Sequence, residues 1–349
     1  MVSWTVTFDP DTLELLTESE REQLRQGTLA AAEIWGRYLG GEDVVISIVI
    51  ELRDDPDGRA AAASESSGFV SFEDGVFVFQ DGAGYEIRTG NDPNGSSPDI
   101  RIIFDPDFFR NDIFIDPDPL ARTEDVDPLL VDLQSVLLHE IGHGLGFNGF
   151  NANDIFSLPE ADTISPYEEH IVIEDDAALF NGPKAVAVYG GAVPLTTADT
   201  NNAAHLGNPV GELGDDLIPL LMNGVVFYRG VRYDINPLTT AILSDSLVPI
   251  RAPTSGADIL YGYEEIDPGL VTAVGGTELS FLFGDDVISS LDGDDEVYGL
   301  SGDDTLNGGA GDDTLVGGEG DDVIIGGAGN DLIMGGDGGN VLYGDGAPG

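Results

Sequence analysis

Gly308-Gly309-Ala310-Gly311-Asp312-Asp313-Thr314-Leu315-Val316 is one copy of a nine-residue unit that repeats along the end of this 349-residue chain. In each copy an aspartate follows a glycine by two positions and precedes an aliphatic residue by two positions. The pattern is therefore G-G-x-G-x-D-x-U-x, where U is aliphatic. The aspartates of the series are Asp286, Asp295, Asp304, Asp313, Asp322 and Asp331, and Asn340 takes the next position.

The repeat predicts a parallel β-roll that binds calcium. Glycine permits the backbone conformations with φ > 0 that tight turns need. The aliphatic residue of each copy would point inward from a short strand, while the aspartates and the turn carbonyls offer the hard oxygen ligands that Ca²⁺ prefers. Seven copies in phase argue against a disordered acidic tail. The stretch 256–262 resembles a further copy that is out of phase with the series.

Calcium is expected to be required for this segment to fold. No lysine or arginine follows Arg251, so paired acids such as Asp312 and Asp313 would face one another without a compensating charge. One inward aliphatic residue per copy is also a small core to set against the ordering entropy of the chain. We therefore expect a first domain over residues 1–252 and an all-β calcium-binding roll over residues 253–349.

A second motif, His139-Glu140-Ile141-Gly142-His143, lies in the first domain. The apolar spacing before it predicts a helix that begins at residues 127–128. Positions i and i+4 share a helix face, so His139 and His143 can direct two imidazoles at one metal ion, with Glu140 beside the ion as a general base. The alternative is an ordinary core helix with two hydrogen-bonded histidines. Two ligands are too few for a catalytic zinc, which usually has three from the protein.

The first domain mixes helix and strand signals in a way that is typical of an α+β fold. Thr17 and Glu20 fit a capping box, which predicts the start of a helix. The apolar run over residues 44–50 predicts a strand that is buried on both faces and is therefore central in its sheet. Other expectations are a loop over residues 53–66, a hairpin over 69–79 and a strand over 99–104.

The charge of the chain argues against several classes of function. Its 13 basic and 65 acidic residues give 13 − 65 = −52, which suits cation binding and makes nucleic acids and anionic membranes unsuitable partners. The absence of cysteine excludes disulfides and thiolate ligands. We see no apolar run of membrane-spanning length and no ordinary secretory signal, so we expect no membrane insertion. A monomer is expected.

The C-terminal repeats resemble those of RTX proteins. The resemblance covers about residues 284–345 and implies a calcium-binding β-roll that folds in extracellular calcium. It also implies export through a channel that needs no N-terminal signal. A secreted, extracellular protein is therefore expected.

The stretch His139-Glu140-Ile141-Gly142-His143-Gly144-Leu145-Gly146-Phe147 resembles the zinc-binding motif of the metzincin metalloproteases, whose pattern continues to a third histidine. Gly149 occupies that position in this chain. Leishmanolysin-like metzincins insert a long segment before their third histidine, and His205 followed by Met222 resembles that arrangement.

The metzincin resemblance implies an α+β zinc endopeptidase domain that hydrolyses protein or peptide substrates with a metal-activated water. The residues so implied are His139, His143 and His205 as zinc ligands, Glu140 as general base and Met222 as the methionine packed beneath the metal.

Two alternatives remain open on the sequence alone. The third zinc ligand could instead come from Asp154, Glu160 or His170. The chain could also be an RTX adhesion or surface protein whose metalloprotease-like domain is inactive, a reading that rests on Gly149.

Overall fold

The computed structural model describes residues 2–54, 60–73, 75–151, 158, 160–174, 177–197, 203–208, 217, 219–223, 227–264 and 284–345. Its contacts divide the chain into two compact units. Among the described residues, the first unit comprises those within 2–233 and 238–250, and the second comprises those within 234–237, 251–264 and 284–345.

The chain up to residue 250 contains both helices and strands. They are, in chain order, β1 (Ser3–Phe8), α1 (Glu18–Tyr38), β2 (Val45–Leu52), β3 (Ala60–Ser64), β4 (Ser67–Glu73), β5 (Val76–Asp81), α2 (Gly82–Thr89), β6 (Ile100–Phe104), α3 (Pro106–Asn111), β7 (Ile113–Phe114), β8 (Val131–Asp132), α4 (Leu133–Leu145), β9 (Thr163–Ile164), β10 (Ile171–Glu174), β11 (Ala177–Phe180), α5 (Pro183–Tyr189), β12 (Val193–Pro194) and α6 (Pro237–Asp245).

A four-stranded sheet in the order β1-β2-β6-β3 is the largest sheet of the first unit among the described residues. The first three strands are parallel, and β3 runs antiparallel to β6 at the sheet edge. The predicted central strand is confirmed as β2, which lies between β1 and β6. Strands β4 and β5 form the predicted hairpin, and β9 joins it in parallel. Strands β10, β11 and β12 form an antiparallel sheet.

The predicted capping box at the start of α1 is confirmed. The Glu20 backbone N–H donates to the Thr17 hydroxyl, and the Thr17 N–H donates to the Glu20 carboxylate. Reciprocal bonds of this kind satisfy donors that a helix start otherwise leaves without partners. The buried face of α1 then packs against α4.

Two boundary predictions are wrong. The expected loop over 53–66 contains β3, whose alanines gain strand geometry from pairing with β6 rather than from their own propensity. The helix expected from residues 127–128 begins only at Leu133, with Asp132 as its cap. The reason is that β8 pairs in parallel with β7 and so holds the chain extended just before the helix.

The second unit forms a roll of short parallel strands. They are β13 (Ile259–Tyr261), β14 (Val287–Ser289), β15 (Glu296–Ser301), β16 (Thr305–Ala310), β17 (Thr314–Glu319), β18 (Val323–Ala328), β19 (Leu332–Asp337) and β20 (Val341–Tyr343).

The strands of the roll alternate between two sheets, in the orders β13-β15-β17-β19 and β14-β16-β18-β20. Each coil contains two nonapeptides, so residues 18 positions apart pair, as Leu306 does with Ile324. The predicted inward aliphatic residues form the core, in which Val297, Leu306, Leu315 and Ile324 are fully buried. The predicted β-roll is confirmed. Leu342, in the last strand, is the exception because it is about half exposed.

The out-of-phase copy at 256–262 also belongs to the roll. Strand β13 pairs in parallel with β15, and Leu260 lies opposite Val297. The Asp258 N–H donates to Asp295 Oδ1 at 2.8 Å, as the equivalent groups of later coils do. None of the described helices is long and apolar enough to span a membrane.

Candidate metal centres

Helix α4 is fixed at its N-terminus by a buried cap. Asp132 Oδ2 accepts hydrogen bonds from the backbone N–H and the hydroxyl of Ser135, at 2.9 and 2.7 Å. It also pairs with Arg122 at 3.1 Å. On the side of α1, the indole N–H of Trp35 donates to the Leu138 carbonyl at 2.9 Å. These bonds hold the histidine-bearing turns of α4 in a fixed orientation.

The glycines of the metal motif allow other chain segments to approach α4 closely. A Cβ on Gly142 would lie 2.9 Å from Met222 Sδ, and a Cβ on Gly144 would lie 2.6 Å from the Ile100 side chain. Met222 therefore packs against the helix between the two histidines, fully buried. Gly146 ends the helix with a φ of +130°, a conformation that favours glycine.

The Nδ1 atoms of both helix histidines are held by backbone carbonyls. His139 Nδ1 lies 2.7 Å from the Leu221 carbonyl oxygen, and His143 Nδ1 lies 2.7 Å from that of Phe147. A carbonyl can only accept, so each Nδ1 carries the proton and each Nε2 presents a lone pair. Those two Nε2 atoms are 3.0 Å apart. A cation shared by the two lone pairs would relieve their repulsion.

His205 brings the third imidazole to the same point. Its Nε2 lies 3.2 Å from that of His139 and 3.0 Å from that of His143. Zinc–nitrogen bonds of 2.0–2.1 Å at tetrahedral angles place nitrogens about 3.3–3.4 Å apart, so the spacing fits one zinc ion with an open fourth position. The His205 carbonyl accepts from Thr196 N–H, and Leu206 N–H donates to the Met222 carbonyl, which fixes this turn on both sides.

Burial keeps the imidazoles of His139 and His143 neutral. It lowers the pKa of His139 to about 3, with the neighbouring His143 adding to the effect, and lowers the pKa of His143 to about 4. Both rings are therefore neutral near pH 7, which is the form that binds a metal. Burial also raises the pKa of Glu140 to about 8, against a hydrogen bond from the Ala62 backbone. A nearby divalent cation would favour the carboxylate and lower that pKa.

The structure separates the other sequence candidates from this cluster. His170 Nε2 bonds to the Asp245 carbonyl at 3.0 Å, Glu160 is exposed, and Asp154 lies outside the described residues. Neither His170 nor Glu160 joins the group formed by the three histidines. At Gly149 a Cβ would lie 2.6 Å from Glu168 Oε1, so the space for a side chain there is already filled.

Sequence reasoning missed two neighbours of the site. The Phe227 ring stands edge-on to His139, with the ring centroids 5.1 Å apart. The Ala62 N–H of β3 reaches Glu140. A backbone donor carries no sequence signal, and Phe227 lies far from the motif in the chain.

The roll offers a second kind of metal site. The Oδ2 atoms of Asp295, Asp304, Asp313 and Asp322 are buried and accept no hydrogen bond. In contrast, the Oδ1 atoms of Asp304, Asp313 and Asp322 each accept a backbone N–H from the preceding coil. A Cβ placed on Gly299 would lie 2.1 Å from Asp304 Oδ2 and 2.6 Å from the Gly317 carbonyl oxygen. Carboxylate and carbonyl oxygens thus converge where glycine leaves room, and this oxygen-only donor set fits Ca²⁺.

The same arrangement recurs along the roll and concentrates negative charge. The glycines and aspartates involved are Gly299 with Asp304, Gly308 with Asp313, Gly317 with Asp322 and Gly326 with Asp331. Burial, together with the charges of Asp286 and Asp322, raises the pKa of Asp304 to about 7. A bound cation would offset both effects.

Comparison with known proteins identifies the repeats. Residues 283–315 and 316–346 match the RTX calcium-binding nonapeptide repeat (4 copies). The second unit therefore carries RTX repeats, which bind calcium and are typical of proteins secreted by the type I route. No curated protein matches the chain.

Proposed function

We propose that this RTX-repeat protein is a secreted zinc-dependent endopeptidase whose catalytic site lies in the first unit. The observation that carries the proposal is the convergence of three imidazole Nε2 atoms, 3.0–3.2 Å apart, beside a buried glutamate on the same helix. The likeness of residues 139–147 to the metzincin motif supports the same class of enzyme.

The residues divide the chemistry between them. Zinc, when bound by His139, His143 and His205, would polarise the scissile carbonyl and make a water more acidic. Glu140 takes a proton from the attacking water and passes it to the leaving amine, with Ala62 N–H holding its carboxylate in place. The carbonyls on the two Nδ1 atoms keep the imidazoles oriented and increase their basicity. Met222 supports the helix from below and donates no ligand.

The position of β3 supports a peptide substrate. It is the edge strand of the four-stranded sheet, and its Ala62 contacts the proposed general base. An extended peptide can pair with an exposed strand edge through main-chain hydrogen bonds, which requires no particular side chain. Pairing of this kind would bring the peptide backbone of a substrate close to Glu140.

The competing proposal is an adhesion or surface protein with an inactive protease-like domain. Its support was Gly149, which removes a ligand from the usual third position. The close approach of His205 to the other two imidazoles weakens that support. A site with only a structural role would also have no need of a buried, ionisable Glu140 beside the metal.

Cleavage of casein by the full-length chain, with calcium present and zinc added or removed, tests the proposal. We expect zinc-dependent cleavage, and we expect Glu140→Ala to keep one zinc while losing about 10²–10⁴-fold in rate. Glu160→Ala, which removes an exposed glutamate of the same unit, is the matched control and should keep full activity. Full activity of Glu140→Ala would refute the mechanism. Zinc-loaded wild-type protein that cleaves nothing would favour the adhesion protein.

A further inference from the structure

The first unit also contains a group of acidic side chains, which is separate from the three histidines. Glu86 on α2, Asp92 in the following loop and Asp99 just before β6 each offer a carboxylate oxygen within 4.8 Å of the other two. From this cluster we infer a calcium site in the first unit, separate from the sites of the roll, that joins the end of α2 to the start of β6.

The unpartnered Oε2 atom of Glu86 indicates a ligand. Its side chain is only 7 % exposed, and its Oε2 is buried with no hydrogen-bond partner. Glu86 also lies in the last turn of α2, where the helix dipole disfavours an acid. A buried carboxylate with an unpartnered oxygen at the negative end of a helix is costly unless a cation or a proton neutralises it.

The other two acids are held in position by the backbone. Asp99 is 4 % exposed, and its Oδ2 accepts the backbone N–H and the hydroxyl of Ser47 at 2.7 and 2.8 Å. Asp92 Oδ1 accepts the N–H groups of Asn94 and Gly95 at 2.8 and 2.6 Å. These bonds hold both carboxylates in place without an ion, so the binding of an ion requires little further ordering.

The chemistry of the cluster favours Ca²⁺. Every ligand atom that the cluster offers is a carboxylate oxygen, and hard oxygen ligands suit Ca²⁺. Ligands on opposite sides of a calcium ion lie about 4.6–5.2 Å apart, given bonds of 2.3–2.6 Å, whereas magnesium requires a tighter octahedron. The three carboxylate oxygens lie within 4.8 Å of one another, so one calcium ion can reach all of them, whereas magnesium usually takes only one or two carboxylates from a protein.

Occupation of the site would stabilise the sheet next to α4. Asp99 immediately precedes Ile100, the residue that packs against Gly144 of α4. The alternative is a proton held between Glu86 and Asp99, since burial and the charges of Asp99 and Asp92 raise the pKa of Glu86 to about 7. The two cases differ in their response to calcium.

Thermal unfolding of the whole chain, monitored by tryptophan fluorescence, distinguishes a bound calcium ion from a shared proton. Both tryptophans, Trp4 and Trp35, lie in the first unit, so the signal reports that unit and not the roll. Saturating calcium, about 100-fold above its Kd, should raise the Tm of this transition by about 5–10 °C. Glu86→Gln and Asp92→Asn should each lose at least half of that rise and unfold at or above the wild-type Tm without calcium, because each removes a repelling charge.

Two controls complete the experiment. Asp107→Asn replaces an acid of the first unit whose side chain is 85 % exposed. Asp313→Asn replaces an aspartate of the roll. Both should keep the calcium-induced rise. An equal rise in the wild type, Glu86→Gln and Asp92→Asn would overturn the site, because the stabilisation would then come from elsewhere. No rise in the wild type would overturn it as well, and would leave the shared proton as the explanation of the buried Glu86.

Discussion

The Nε2 atoms of His143 and His205 lie 3.0 Å apart although 62 residues separate them in the chain. The turn that carries His205 is bonded to Thr196 on one side and to Met222 on the other. This relationship makes the third imidazole of the cluster a property of the fold around α4 rather than of the motif itself.

Replacing His205 should abolish zinc binding, whereas replacing His170 should not. His205→Ala removes one of the three converging nitrogens, and the remaining pair is too few for a stable zinc site. His170 instead bonds to the Asp245 carbonyl, away from the cluster. Zinc content of the purified chain, measured by elemental analysis, checks both variants. If His170→Ala is the variant that loses zinc, the ligand assignment is wrong.

A histidine introduced at Gly149 should not rescue the loss of His205. The Cβ of any residue there would lie 2.6 Å from Glu168 Oε1, and that carboxylate is itself held by the N–H groups of Asn151 and Ser165. We expect Gly149→His in the His205→Ala background to remain free of zinc and to unfold at a lower temperature. Gly191→His is a suitable control for stability, since a Cβ there meets nothing within 4 Å. Zinc binding by the double variant would contradict the prediction.

How much of this site the sequence could predict depends on distance along the chain. The i, i+4 spacing placed His139, His143 and Glu140 on one helix, because helix geometry is local. The roll was equally predictable, since each coil repeats the same local turn. The boundary at Leu133 was not, because a two-residue pairing between β7 and β8 decides it. The contact between Ala62 and Glu140 had no signal, since any residue can offer a backbone N–H.

At lower pH the roll should bind calcium less tightly. Protonation of its aspartates should then partly take the place of calcium in stabilising the folded roll. Burial raises the pKa of Asp304 to about 7 and that of Asp286 to about 6. Because these pKa values in the folded roll lie above the ordinary aspartate value of 3.8, protonation stabilises the calcium-free roll at acid pH, and this stability is lost as the pH rises through about 6–7. Calcium needs the carboxylates, so protons compete with it.

Circular dichroism of the full-length chain, titrated with calcium between about pH 5 and 8, measures both effects. The calcium concentration at half-folding should rise as the pH falls, and the β signal without calcium should be larger at the acid end. Asp304→Asn, which mimics the protonated side chain, should reduce the pH dependence. A half-folding concentration that does not change with pH would refute the competition between protons and calcium.

The early copies of the repeat are predicted to respond differently to substitution from the later ones. Leu291 and Leu300 occupy the nonapeptide position that Gly309 and Gly318 occupy later, and they adopt φ values of +80° and +84°. A leucine in this region is strained by about 1–2 kcal/mol. The Leu291 side chain is 49 % exposed, so little packing is lost on its removal. Leu291→Gly should therefore be neutral or stabilise the roll by up to about 1 kcal/mol, since the added flexibility of the unfolded chain offsets part of the relief.

Gly309→Ala is the matched variant at the same position of the repeat, and it should destabilise the roll by more than about 2 kcal/mol. The φ of Gly309 is +99°, and a Cβ there would lie 1.8 Å from the Leu291 carbonyl oxygen of the neighbouring coil. That contact is with backbone, which cannot move aside without breaking the parallel ladder. Calcium titrations of the full-length variants by circular dichroism compare the two: Leu291→Gly should fold at the same or lower calcium, and Gly309→Ala at much higher calcium. Equal tolerance of both substitutions would show that the coils are not packed as closely as their backbone positions require.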